Sequence, residues 1–176
     1  MRPIVTSLPD RSTAAWLERL YQLLPHYGHR NWIVVADSAY PSQSNPGIET
    51  VATGEEHIPL LTKLLNAIAS QQHLRANIYL DAELAHVPEH DASGVSALRD
   101  ELNQLLGPGA LALPHEQIIA RLDQSAKLFN VLILKSTLAI PYTSVFLELD
   151  CGYWNADAEK RLRESLKQVP DTVPNR

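Results

Sequence analysis

The run Trp32-Ile33-Val34-Val35-Ala36 constrains the fold more than any other stretch of this chain. Its β-branched and aromatic residues, bounded by Gly28 and Pro41, read as a buried strand. His29 stands just before the run, and Asp37 closes it. An aspartate that ends a buried strand and opens a Ser/Pro loop sits where α/β folds place ligand contacts. The same residues also fit a plainer role, with Asp37 capping a turn and His29 lying on the surface after a helix-ending glycine.

Other strands and helices follow in alternation. Ser12 and Thr13 offer N-caps for an amphipathic helix reaching about residue 27, with Leu17, Leu20, Tyr21 and Leu24 on one face and Gly28 as its stop. Residues 48–53 read as a short strand. Residues 57–70 form a helix whose face is Leu60, Leu61, Leu64, Leu65 and Ile68. A strand over 75–80 leads into an acidic loop through Ser93, then a helix over 95–106 ended by Gly107-Pro108-Gly109. Pro114 suits the first turn of a helix over 115–129. Strands over 131–135 and 144–150 follow with no helix between them, so the sheet is mixed rather than purely parallel. A charged helix over 155–168, anchored by Leu162 and Leu166, either packs on the outside or serves a subunit contact. The pattern predicts an α/β domain over 1–176, with its core over about 12–152 and a C-terminal helical extension over about 153–176. Residues 1–11 read as a polar leader.

Composition excludes several classes of function. At 176 residues, 45% apolar and 20% charged, the chain has room for a full core. A net charge of −5 argues against a nucleic-acid backbone as partner. A single cysteine, Cys151, reads as a core thiol and suits a reducing compartment. No signal-peptide pattern opens the chain, and no apolar run reaches membrane-span length. These features suit a soluble, cytoplasmic protein with no nucleic-acid or membrane partner.

Recognisable catalytic motifs are few. His86-Val87-Pro88-Glu89-His90 spells H-x-x-E-H, but Pro88 disfavours the regular helix that would bring both histidines to one metal. The stretch reads as an exposed polar loop. There is no G-x-S-x-G elbow, P-loop or C-x-x-C pair, and neither a metal nor a cofactor is expected. Pro141-Tyr142, between two strands, can point a phenol at a pocket with Thr143 and Ser144 adding hydroxyls, or can pack over a sheet edge.

Taken together, Gly28-His29, Asp37-Ser38-Ala39-x-Pro41, Ile48-Glu49, His115 and Pro141-Tyr142-x-Ser144 resemble the D-ribose pyranase and L-fucose mutarotase family (RbsD/FucU) from about Leu17 to Gly152. The resemblance implies a three-layer α/β/α sandwich with a mixed, mostly parallel sheet. It also implies cofactor-free interconversion of the cyclic forms of a monosaccharide. In that family His29 would be the proton donor, and Asp37, His115 and Tyr142-Thr143-Ser144 would bind the sugar. Ser144 stands where the family has Asn, Lys135-Ser136-Thr137-Leu138 replaces a basic-x-Gly-Glu turn, and Ile119 falls where a basic residue follows the later histidine. Arg121 or Lys135 are candidates to substitute for it. These departures point to an altered substrate, or to a relative that binds a sugar or sugar phosphate without turnover. Fully extended, the chain from His29 to Asp37 would span roughly 26 Å, too far for one pentose. Either the chain bends after Gly28, or the two residues serve one pocket from different subunits. The family's rings, commonly decamers built from pentamers, favour the second.

Overall fold

The computed structural model describes residues 11–167; the expected leader and the last residues of the extension lie outside them. Among the described residues six strands form one sheet in the order β2-β5-β1-β6-β3-β4: β1 (Trp32–Ala36), β2 (Ile48–Ala52), β3 (Leu74–Asp81), β4 (Leu111–Leu113), β5 (Val131–Lys135) and β6 (Val145–Cys151). β5 pairs in parallel with both β1 and β2, and β3 with β4. β6 runs antiparallel to β1 and β3. It is therefore the lone reversed strand in a sheet whose other members all point one way.

Burial explains why the central strands read as unbroken apolar runs. Every residue of β1 and all but the last of β5 are buried, as expected for strands covered on both faces. Ile33, Val35, Leu132, Leu134, Val145 and Leu147 face one core with Trp16, Leu20, Leu60, Leu64 and Leu102. These last five come from α1 (Arg11–Leu23), α2 (His57–Ala69) and α3 (Val95–Leu106). Trp32, Val34, Ile133 and Phe146 face the other core with Ile118, Leu122 and Ala126 of α4 (His115–Ala126). The expected three layers and mostly parallel sheet are present.

Several boundaries differ from expectation for identifiable reasons. α1 stops at Leu23, where Pro25 opens a short 3-10 turn (Leu24–His26), since proline lacks the amide a continuing helix needs. Gly28 does not end it; the left-handed residue is Arg30, at φ 74°, in the turn that feeds β1. Strand β4, just three residues long, was not expected at all and exists through its pairing with Tyr79–Asp81. Helix α4 ends at Ala126, short of Phe129. Cys151 is half-buried rather than a core thiol. Among the described residues no helix is long and apolar enough to cross a membrane. The last helix, α5 (Ala156–Leu166), buries none of its residues, and the expected anchors Leu162 and Leu166 are both exposed.

Candidate functional site

The strand directions gather polar side chains at two opposite ends of the sheet. At the end where β1, β3 and β5 finish and β6 begins lies a cavity of about 620 Å³, within the roughly 300–1,000 Å³ range of small-molecule sites. Asp37, Asp81, His115, Tyr142 and Ser144 bring polar groups to it, while Tyr40, Pro41, Ile119 and Ile140 supply apolar wall. Crevices beyond the carboxyl ends of parallel strands are where open α/β sheets bind ligands.

Each polar group is held by local structure. Asp37 caps a turn and also faces the cavity. Its Oδ1 accepts from the Ala39 amide at 2.8 Å, closing a turn, and its Oδ2 lies 3.4 Å from the Ser144 hydroxyl across the cavity floor. His115 is the first residue of α4. Its backbone amide, unsatisfied within the helix, donates to both oxygens of Glu83 at 3.1 and 3.0 Å. Its ring Nδ1 lies 3.0 Å from Asp81 Oδ1. Burial pushes the Asp81 carboxyl up; His115 draws it partly back, and the negative charges of Glu83 and Asp37 add to the rise. The imidazole meets the Tyr142 and Phe146 rings edge-on, at 5.8 and 6.4 Å between centroids.

Tyr142 has φ 59°, in the left-handed region, an unusual conformation for a bulky residue that has to be enforced by its surroundings. Here the Thr143 hydroxyl donates to Ile140 O at 2.8 Å and ties the turn. Thr143 is fully buried and does not line the cavity, so its side chain shapes the turn. Beneath the same end, His57 Nδ1 contacts the Ser136 hydroxyl at 2.9 Å. Desolvation holds this histidine down to about 4, against the opposing influence of the Thr143 backbone and the Asp37 charge.

His29 is not in this cavity. It lies beyond the opposite end of β1, in a second cavity of about 750 Å³ shared with His73, Arg75, Asp150, Tyr153 and Trp154. Its Nδ1 stands 3.1 Å from Asp150 Oδ1. Arg75, directly across from Asp150 in the β3–β6 register, donates Nε to Asp150 Oδ2 at 3.1 Å. Burial would raise the Asp150 carboxyl, but Arg75, the Cys151 amide and the charge of His29 together hold it below its usual value. Gly152, which follows, has no room for a side chain: a Cβ would lie 2.7 Å from Gln72 O. The chain turns after Gly28 without returning towards Asp37, so the five-residue strand β1 separates them.

The H-x-x-E-H stretch has a structural explanation. Glu89 accepts from the amides of Gly94 and Ser96 at the start of α3, while His90 is exposed. Among the described residues no group of three His, Cys, Asp or Glu side chains converges as a metal site would require. Neither candidate basic substitute lines the Asp37 cavity; Arg121 stacks its guanidinium over the Tyr79 ring at 5.4 Å. Asp81 and Glu83 are the site-forming residues that sequence reasoning missed.

No protein-family model matches the sequence, and no curated protein matches it. Solved structures do. RbsD from Bacillus subtilis, in complex with D-ribose, superposes with a TM-score of 0.55 at 14% identity, covering 85% of this chain and 98% of that one. The chain has the RbsD fold. The fucose mutarotase of Streptococcus pneumoniae in complex with L-fucose aligns at a TM-score of 0.49 and 18% identity, covering 83% of this chain and 98% of its own. FucU from Bifidobacterium longum aligns at 0.46 and 17%, covering 76% and 94%. At such identities the likeness to RbsD is one of fold, and it bears out the architecture expected from the sequence.

Proposed function

We propose that the protein is a monosaccharide mutarotase or pyranase that interconverts the cyclic forms of a reducing sugar by general acid–base catalysis, without a metal or cofactor. One observation carries this reading: Asp37, His115, Tyr142 and Ser144, from three separate parts of the sequence, line one cavity of small-molecule size in an RbsD-like fold. The RbsD and mutarotase structures with this likeness hold D-ribose and L-fucose. A carboxylate accepts sugar hydroxyls, a tyrosine offers a face and a hydroxyl, and an imidazole can exchange protons near neutral pH.

In this reading His29 is the acid that protonates the ring oxygen, and it reaches the Asp37 cavity of another copy of the chain. Its place at the far end of β1 supports a shared site, because one sugar cannot bridge both ends of the strand. The active form is then a homo-oligomer, a pentameric or decameric ring.

A second reading, a protein that binds a sugar without turnover, draws support from two features. Ser144 is 2% exposed, with its hydroxyl already near Asp37, and Ile119 occupies the wall with no charge to offer. A sugar phosphate is the less favoured ligand, because among the described residues no lysine or arginine lines the cavity.

Exchange NMR with ribose, fucose, galactose and glucose tests the proposal. Wild type should accelerate ring-form or anomer exchange of at least one sugar, and His29→Ala should abolish it. Mixing the inactive His29→Ala and Asp37→Ala chains should restore part of the rate if sites are shared. Full activity in a monomer would refute the shared site, and line broadening without faster exchange would establish the non-catalytic reading.

A further inference from the structure

Opening a hemiacetal requires a base as well as an acid. If the proposed function holds, on which this inference rests, His29 supplies the acid and the base is still unassigned. Four carboxylates and imidazoles stand at or near the Asp37 cavity: Asp37, Asp81, His57 and His115; Asp81 is 1% exposed and turns its Oδ1 to His115. Asp37 already commits Oδ1 to the Ala39 amide and holds Oδ2 near Ser144, which suits a hydroxyl-binding group. His57 is 3% exposed and does not line the cavity. His115 lines the cavity, and its ring is fixed on several sides.

We propose that His115 is the proton-accepting catalytic residue of this cavity and that Asp81 is the positioning residue that sets its tautomer. The Asp81 side chain is 1% exposed and contacts His115 Nδ1 at 3.0 Å. A carboxylate only accepts hydrogen bonds, so the imidazole proton sits on Nδ1 and Nε2 keeps its lone pair. The edges of Tyr142 and Phe146 fix the ring plane, and Glu83 anchors the backbone beneath it. A base whose second nitrogen is oriented by a buried carboxylate is the arrangement that nucleophile-activating and proton-transferring histidines use.

The step balances without a co-reactant. Nε2 takes the proton of the anomeric hydroxyl, and that O–H electron pair becomes the second bond of the open-chain carbonyl. The bond from the anomeric carbon to the ring oxygen breaks with its pair on that oxygen, which takes a proton from His29 of another copy. Closure reverses both transfers, after rotation about the carbonyl carbon or with a different hydroxyl as nucleophile. Asp81 stabilises the imidazolium formed in between.

The test uses the full-length chain labelled with nitrogen-15. In wild type, long-range proton–nitrogen spectra should show neutral His115 protonated at Nδ1, and Asp81→Asn should lose that preference. His115→Gln keeps a polar group but cannot carry the proton. It should bind sugar within a few-fold of wild type while exchange falls by roughly 10²–10⁴-fold. Asp81→Asn should lower the exchange rate with little effect on binding. Wild-type exchange in His115→Gln, or an Nε2-protonated tautomer in wild type, would overturn the assignment while leaving the proposed function intact. A wild-type protein that accelerates no sugar removes the proposed function, and this assignment with it.

Discussion

At one end of the sheet an aspartate holds a histidine inside the fold; at the other, the same two residue types meet near the surface. Asp81 and His115 have side-chain exposures of 1% and 31%, whereas Asp150 and His29 have 23% and 59%. The carboxyls respond in opposite senses. Burial dominates at Asp81 and raises it, whereas at Asp150 the Arg75 hydrogen bond and the other partners outweigh burial and lower it. One end is tuned by desolvation and the other by pairing. A site assembled from both ends, in two copies of the chain, would combine a proton acceptor held by a buried carboxylate with a donor held by a partly hydrated one.

The largest test of this difference lies at the dry end, in His57. Its ordinary value is 6.5 and its folded value about 4. Between those values the unfolded chain binds a proton that the folded protein refuses. Stability present above pH 6.5 is therefore lost as pH falls towards 4, and the total is on the order of 3 kcal/mol. Urea midpoints measured across this window should fall steeply in wild type. They should flatten in His57→Asn, which can still meet the Ser136 hydroxyl. An unchanged slope in that variant would place the acid sensitivity elsewhere.

The next contrast compares the two histidines directly at neutral pH. His115→Ala leaves the Asp81 carboxylate buried without its ring partner, which should cost about 1–3 kcal/mol. His29→Ala leaves Asp150 with Arg75 and the Cys151 amide, and should stay within about 0.5 kcal/mol of wild type. Denaturant titration of the two variants side by side measures both. Equal losses would mean that the ends are not energetically distinct.

How much of this was legible in the sequence depends on the range of the interactions. The runs in β1 and β5 announce themselves because both faces of each strand are covered. β4 does not, since Leu111-Ala112-Leu113 is too short to show a period and is defined by its partner strand. Asp37, His115, Tyr142 and Ser144, singled out from the sequence, share a cavity, whereas His29 and Thr143 do not line it. Asp81 and Glu83 escaped because their partner, His115, is 34 and 32 residues away. A signal existed for Asp81: like Asp37, it ends an apolar strand, here after Ile78-Tyr79-Leu80. No local pattern marks Asp150, which meets His29 across 121 residues. The exposure of Leu162 and Leu166 was equally hidden, because helical spacing tells which residues share a face but not whether anything covers it.

The smallest effect, and the finest test of the contrast, is the slope of stability on either side of 3.8, the ordinary value of both carboxyls. Asp150 is lowered in the fold, so its contribution is present above 3.8 and is lost as pH falls through its folded value. Asp81 is raised, so in the window above 3.8 the folded protein binds the extra proton and stability falls as pH climbs through it. Asp150→Asn should flatten the rising limb below 3.8, and Asp81→Asn should remove the falling limb that Asp81 superimposes above it on the larger His57 rise, so that the net slope there steepens. Salt separates them further. The Asp150 cluster is partly hydrated, and added salt should shrink its contribution, because the Debye length contracts to about 3 Å at 1 M. The Asp81 contribution comes mainly from desolvation, which counterions do not relieve, and should persist. If both limbs fade together as salt is added, then pairing rather than burial governs Asp81, and the two ends differ in position only.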